Sequence, residues 1–141
     1  MFGIDGSGLW SNFTDPEAEA QFPVILGYNE PDQHEQADIT PEEAAIAWIQ
    51  HQEKYADRIL VSPAPANANT KWMDAFMAAC EPLGCRIDYL ATHIYTGTPN
   101  EIMTRLKEFS ERYGGRKIWL TEFALAKSHD EVNTFLYFYQ T

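Results

Sequence analysis

The chain has 141 residues, 45% of them apolar and 13% aromatic, enough to bury one sizeable core. Lys and Arg total 10 against 21 Asp and Glu, so the net charge is -11; such a surface repels nucleic acid and anionic membranes and suits a neutral polymer. No run reaches the ~20 apolar residues of a membrane-spanning helix, and residues 1–8 carry neither a basic segment nor an apolar signal core.

Residues 15–22 read as a short helix, with Pro16 tolerated in its first turn, feeding a strand over 24–28. Thr40-Pro41-Glu42-Glu43 then forms a capping box with proline at the first helical position. The helix it opens places Ala45, Trp48 and Ile49 on one face, continued by Tyr55 and Ala56. Residues 59–62 are the next strand, stopped by Pro63 and Pro65. A helix from about residue 70 sets Trp72, Met73, Phe76, Met77 and Cys80 at helical spacing, and residues 87–95 form the third strand. Thr98-Pro99-Asn100-Glu101 repeats the capping pattern, Ile102, Leu106 and Phe109 form the buried stripe, and Gly114-Gly115 end that helix. A fourth strand covers 117–121, and Ser128-His129-Asp130-Glu131 caps a last helix presenting Val132, Phe135, Leu136 and Tyr139. This alternation predicts an α/β fold with a parallel sheet and crossover helices. No linker or low-complexity stretch divides the chain, so residues 1–141 are read as one domain.

Cys80 and Cys85 are the only cysteines, separated by a segment with Pro82 and Gly84. A turn there would bring the sulfurs together, but two free buried thiols fit equally well. With no second pair, a structural zinc site is not expected. His34, His51 and His129 lack metal-ligand spacing, and no phosphate loop, Ser-His-Asp arrangement or basic aromatic patch is evident. Neither a metal nor a cofactor is implied, and the oligomeric state is left open.

The chemistry concentrates in two glutamates. Val24-Ile25-Leu26-Gly27-Tyr28 leads into Asn29-Glu30-Pro31-Asp32, and Lys117-Ile118-Trp119-Leu120 into Thr121-Glu122-Phe123-Ala124. A carboxylate where a strand runs out lies on the face where parallel α/β folds build active sites. Two of them suit the acid/base and nucleophile of a glycosidase; exposed loop acids are the plain alternative. Three strand spacings in a flat sheet would hold the pair about 14 Å apart, beyond the ~5 Å of retaining and the ~9.5 Å limit of inverting chemistry. Only a curved sheet, turning both strand ends toward a common axis, lets the pair act together.

Four blocks, taken in order, carry a family resemblance: Leu26-Gly27-Tyr28-Asn29-Glu30-Pro31-Asp32, Val61-Ser62-Pro63-Ala64, Ile87-Asp88-Tyr89-Leu90-Ala91-Thr92-His93-Ile94-Tyr95 and Ile118-Trp119-Leu120-Thr121-Glu122-Phe123-Ala124. Together they resemble glycoside hydrolase family 128, the alkali-sensitive-linkage type of endo-β-1,3-glucanase, from about Leu9 to the C-terminus. The resemblance implies a (β/α)8 TIM-type barrel, retaining cleavage of β-1,3-glucan and an extracellular or cell-wall setting. It places Glu30 after barrel strand four and Glu122 after strand seven, with Leu9-Trp10-Ser11 near the end of strand three. A complete barrel typically needs ~250 residues. The chain is therefore expected to be an incomplete barrel domain of about four βα units, with the first strands and the last missing. A non-hydrolytic glucan-binding barrel remnant is the alternative. By the same resemblance Glu30 is the acid/base, Glu122 the nucleophile, and Asn29 the partner of the sugar 2-hydroxyl. Tyr95 would donate to Glu122, His93 line the glucan cleft, and Asn67 contact a hydroxyl. Ile94 stands where the family usually has tryptophan, which puts a stacking subsite in question.

Overall fold

The computed structural model describes residues 22–95 and 97–125. Within them strands and helices alternate: β1 (Val24–Leu26), α1 (Pro41–Lys54), β2 (Ile59–Val61), α2 (Thr70–Leu83), β3 (Leu90–Ile94), α3 (Pro99–Arg112) and β4 (Ile118–Phe123). A 3₁₀ turn, Ala66–Ala68, stands between β2 and α2. The expected strand end at residues 9–11, most of the helix over 15–22 and the helix capped at Ser128 lie outside the described residues.

Among the described residues all strand pairing is parallel, with a helix crossing over between successive strands. Val24, Ile25 and Leu26 pair with Ile59, Leu60 and Val61, and β3 pairs with β4 starting from Leu90 against Ile118. A parallel bridge from Val61 to Tyr89 links the two pairs, so the strands lie side by side in chain order. This is the α/β class with parallel strands that the alternation predicted.

Both capping boxes form. Thr40 Oγ1 accepts from the Glu43 N–H at 3.2 Å while Glu43 Oε2 accepts from the Thr40 N–H at 3.2 Å. The Thr98 and Glu101 pair repeats this at 3.3 and 2.6 Å. Such reciprocal bonds satisfy N–H groups that a helix start leaves without partners. α2 is instead capped by Asn69, whose Oδ1 accepts from the Trp72 N–H at 3.4 Å.

The main core lies between the sheet and the helices, built on Trp48, Leu60, Met73, Phe76, Leu90 and Phe109. Trp48 and Phe76 meet edge to face at 6.1 Å between centroids. Trp48 and Trp72, both buried, donate their indole N–H to carbonyls, Trp48 to Arg86 (2.9 Å) and Trp72 to Ile39 (3.1 Å). Ala56, expected on the buried face of α1, is exposed because the helix ends at Lys54. A smaller cluster of Val61, Ala64 and Ala91, with Val24, Leu26 and Tyr89 against it, covers the other sheet face.

β3 starts three residues later than its apolar run, because Arg86 and Asp88 are used elsewhere. The Arg86 guanidinium donates to the carbonyls of Ala56 (2.7 Å) and Arg58 (2.5 Å), and Asp88 Oδ2 accepts from the Leu60 N–H at 2.7 Å. Cys80 and Cys85, left open by the sequence, are joined in a disulfide at the end of α2, their Cα atoms 5.1 Å apart.

Candidate active site

Gly27 brings β1 against the residues that follow β2. A Cβ there would stand 2.5 Å from Pro63 N and 2.7 Å from Ser62 C, both backbone atoms, so only glycine fits. The pairing then runs on past the strand: Asn29 bridges Ala64, and the Glu30 N–H donates to the Ala64 carbonyl at 2.9 Å. Glu30 itself sits at φ +38°, a left-handed conformation that costs a residue with a Cβ on the order of 1–3 kcal/mol. Its surroundings hold it there. Gln33 N–H donates to the Glu30 carbonyl at 2.9 Å, Ala37 N–H to Asn29 at 3.2 Å and Ile39 N–H to Pro31 at 3.1 Å. Asp32 accepts from the Ala66 N–H at 2.9 Å and from Asn69 Nδ2 at 2.8 Å, fastening this loop to the 3₁₀ turn.

That turn also holds the end of β3. Thr92 Oγ1 donates to the Pro65 carbonyl at 2.9 Å and accepts from the Ala68 N–H at 3.1 Å. Asn67 Oδ1 accepts from the Tyr95 N–H at 3.1 Å. Asn67 is exposed, and its side-chain oxygen is engaged by this backbone N–H.

β4 contains a bulge that decides where Glu122 points. Thr92 pairs with Leu120, yet His93 pairs with Glu122, so Thr121 is an extra residue. Leu120 and Phe123 both pack with Ile94 and Ile102 on the helix side of the sheet. In a regular strand Glu122 would share the face of Leu120. The bulge turns it to the opposite side, toward His93 and Tyr95, as bulges beside active sites re-aim side chains. Glu122 thus lies inside a six-residue strand, one residue before its end, rather than beyond it.

The result is a tight cluster. His93 Nδ1 is 2.9 Å from Glu30 Oε1 and 3.6 Å from Glu122 Oε2. The Tyr95 hydroxyl donates to Glu122 Oε2, and this bond, more than any other cause, pushes the phenol up to about 12. One carboxylate oxygen from each glutamate and a ring nitrogen of His93 lie within 4.8 Å of one another. The trio is close enough to share a cation, although the contacts described already give each member a partner. The side chain of His93 is 1% exposed, Glu30 15% and Glu122 36%, so the histidine lies beneath two carboxylates that solvent can reach.

Asn29 Nδ2 donates to Gln36 Oε1 at 2.7 Å, while Asn29 Oδ1 is buried without a hydrogen-bond partner. Tyr28, beside it, is buried with its hydroxyl 3.2 Å from His51 Nε2, and burial pushes that phenol up to about 12. Ile94 is fully buried against Ile102 on the helix side, so it packs the core and does not face the glutamates. His34 pairs with Asp38 at 2.7 Å on the surface.

Sequence reasoning brought Glu30, Glu122, His93 and Tyr95 together but missed Asp32, Gln36 and the bulge. A signal for the bulge was present: the apolar positions 118, 120 and 123 break the two-residue period of a strand. The partners of Asp32 are 34 and 37 residues away, beyond any local pattern.

The profile of the glycosyl hydrolase catalytic core family matches residues 5–138. The chain belongs to that family. Solved members of glycoside hydrolase family 128 resemble this catalytic core most informatively. A curdlan-specific exo-β-1,3-glucanase from Blastomyces gilchristii, in complex with glucose, is 30% identical with a TM-score of 0.78, over 97% of this chain and 63% of that one. An endo-β-1,3-glucanase from Sorangium cellulosum is 33% identical with a TM-score of 0.69, over 80% and 50%. An endo-β-1,3-glucanase from Amycolatopsis mediterranei, in complex with laminaritriose, is 32% identical with a TM-score of 0.69, over 79% and 48%. The glycosyl hydrolase core described by this chain thus spans about half to 63% of the length of these structures. Among curated protein sequences nothing matches.

Proposed function

We propose that the chain carries the catalytic pair of a retaining β-1,3-glucan hydrolase, as part of a (β/α)8 barrel domain that acts outside the cell on β-glucan. The observation that carries this reading is the approach of Glu30 and Glu122, oxygens within 4.8 Å, from the ends of strands three places apart. A flat sheet would hold those strands about 14 Å apart. So close an approach of their oxygens favours the ~5–5.5 Å carboxyl separation of retaining enzymes over the ~6.5–9.5 Å that leaves room for an inverting water. The relatives act on β-1,3-glucans, some in the exo and some in the endo mode, so the proposal extends to the bond and not to the mode.

The two carboxylates divide their oxygens in a useful way. His93 engages Glu30 through Oε1, which leaves Oε2 to carry the proton given to the glycosidic oxygen. Tyr95 and His93 both meet Glu122 at Oε2, which leaves Oε1 for attack on the anomeric carbon. The bond from C1 to the leaving oxygen breaks as that from C1 to Glu122 forms. Glu30, now a carboxylate, takes a proton from the water that releases the sugar. Asn29, next to Glu30, would donate to the 2-hydroxyl of the reacting ring, and His93 would support the pair from below.

The test is laminarin hydrolysis by the whole protein that contains this chain. Glu122→Gln should lower turnover at least about a thousandfold while glucan binding survives. Glu30→Gln should lower it about a hundredfold or more, with a smaller loss on aryl glycosides whose leaving groups need no proton. Unchanged laminarin turnover in either variant would overturn the assignment, and glucan binding without any turnover in the parent would leave a binding domain.

A further inference from the structure

The exposed Gln36 is tied to Asn29 and not to either glutamate. Its Oε1 accepts from Asn29 Nδ2 at 2.7 Å. The main chain secures this contact from the adjoining residue, because Ala37 N–H donates to the Asn29 carbonyl at 3.2 Å. Gln36 is further held by its own N–H, which donates to the Gln33 carbonyl at 3.1 Å. The other end of the Asn29 amide is closed off, since Oδ1 is buried and unpartnered. What Asn29 can present to a ligand is therefore its NH2 group. An amide NH2 is planar and has two hydrogens about 120° apart. Once one is committed to Gln36, the direction of the other is fixed.

We propose that Gln36 is a positioning residue that aims the second N–H of Asn29 at the 2-hydroxyl of the sugar beside Glu30. The inference rests on the reading of Asn29 given above and adds to it an exposed residue of the loop that follows β1. Gln36 acts through Asn29. Its removal should be felt only by substrates that carry the hydroxyl Asn29 serves. An exposed side chain contributes little to the core, so Gln36→Leu is expected to fold normally.

The experiment compares the whole protein with Gln36→Leu and Gln36→Glu on an aryl β-glucoside and its 2-deoxy counterpart. Gln36→Leu should lower kcat on the glucoside about five- to tenfold, the size of one neutral hydrogen bond, and leave the 2-deoxy rate within about twofold. Gln36→Glu keeps an acceptor for Asn29 and should restore most of the glucoside rate. Equal losses on both substrates, or none on either, would overturn the proposal. A Gln36→Glu variant as slow as Gln36→Leu would overturn it too, because Gln36 would then be the donor. If the parent hydrolyses neither aryl glucoside, laminarin turnover decides the catalytic reading by itself, and the Asn29 side-chain amide signals in a ¹⁵N NMR spectrum decide the positioning. A Gln36→Leu shift confined to Asn29 and the adjoining loop upholds the positioning, and unmoved signals refute it.

Discussion

Glu30 stands on a backbone tied down from several sides, whereas Glu122 stands on a strand whose described partner is β3 alone and is aimed by a bulge and a phenol. Around Glu30 the fixing contacts are main-chain bonds and the Asp32 carboxylate, and they hold a left-handed residue in place. Around Glu122 they are side-chain contacts to Tyr95 and His93, and more than a third of its side chain is exposed. Both carboxylates meet His93, Glu30 at 2.9 Å and Glu122 at 3.6 Å, so the difference is that the loop backbone of the proposed acid/base is tied down as well, while the carboxylate of the proposed nucleophile leans on Tyr95. Stability and activity should therefore respond differently to changes at the two ends.

The largest effect is expected at Gly27. A Cβ 2.5 Å from Pro63 N meets backbone that cannot rotate away, so Gly27→Ala should cost about 3 kcal/mol, the upper end of overpacking penalties. Urea denaturation measures it, and a loss below about 0.5 kcal/mol would show that the close approach does not brace the Glu30 arm. Next, Asp32→Ala should cost about 2 kcal/mol, since it strands the Ala66 N–H and the Asn69 amide. Tyr95→Phe should do the reverse. Stability should stay within about 0.5 kcal/mol, while laminarin turnover falls about tenfold with the loss of a bond to a charged oxygen. A Tyr95→Phe variant that unfolds easily yet keeps full turnover would erase the contrast.

The smallest effect lies away from both arms. Arg112, the last residue of α3, and Tyr113 just after it meet Asp74 on α2, and the Arg112 bond holds the Asp74 carboxyl below its ordinary value of 3.8. A lowered carboxyl stabilises the fold above the unfolded value, and that contribution is lost as pH falls through the folded one. The Arg112 side chain is 52% exposed and that of Asp74 39%, so solvent screens the pair and its contribution is small. Arg112→Met should slightly lower Tm at neutral pH, with the difference from the parent closing below pH 3.8. A difference that widens in acid would contradict the pair.

Local signals carried far in this sequence. Thr40 with Glu43 and Thr98 with Glu101 announce their helices because every partner lies within one turn. The apolar spacing of Trp48, Trp72, Met73, Phe76, Ile102 and Phe109 marks the buried faces correctly. Strand ends were less legible, since Asp88 extends an apolar run in sequence but serves the Leu60 N–H in space. At the site, Glu30 and Glu122 were visible as strand-end acids, and their approach followed from asking what geometry would let both act. The device that turns Glu122 inward was not, because a bulge is a property of the pair β3–β4 and not of either strand. Gln36 was invisible for a similar reason: an exposed loop glutamine gains meaning only from the amide it meets.

The central proposal is that Glu30 and Glu122 act as an adjacent pair in a double displacement. The most direct measurement is ¹H NMR of the first anomer released from a laminari-oligosaccharide by the whole protein, recorded before mutarotation. The β-anomer is expected first, from two displacements at the same carbon. Initial release of the α-anomer would mean a single displacement, and would contradict the assignment of Glu122 as nucleophile.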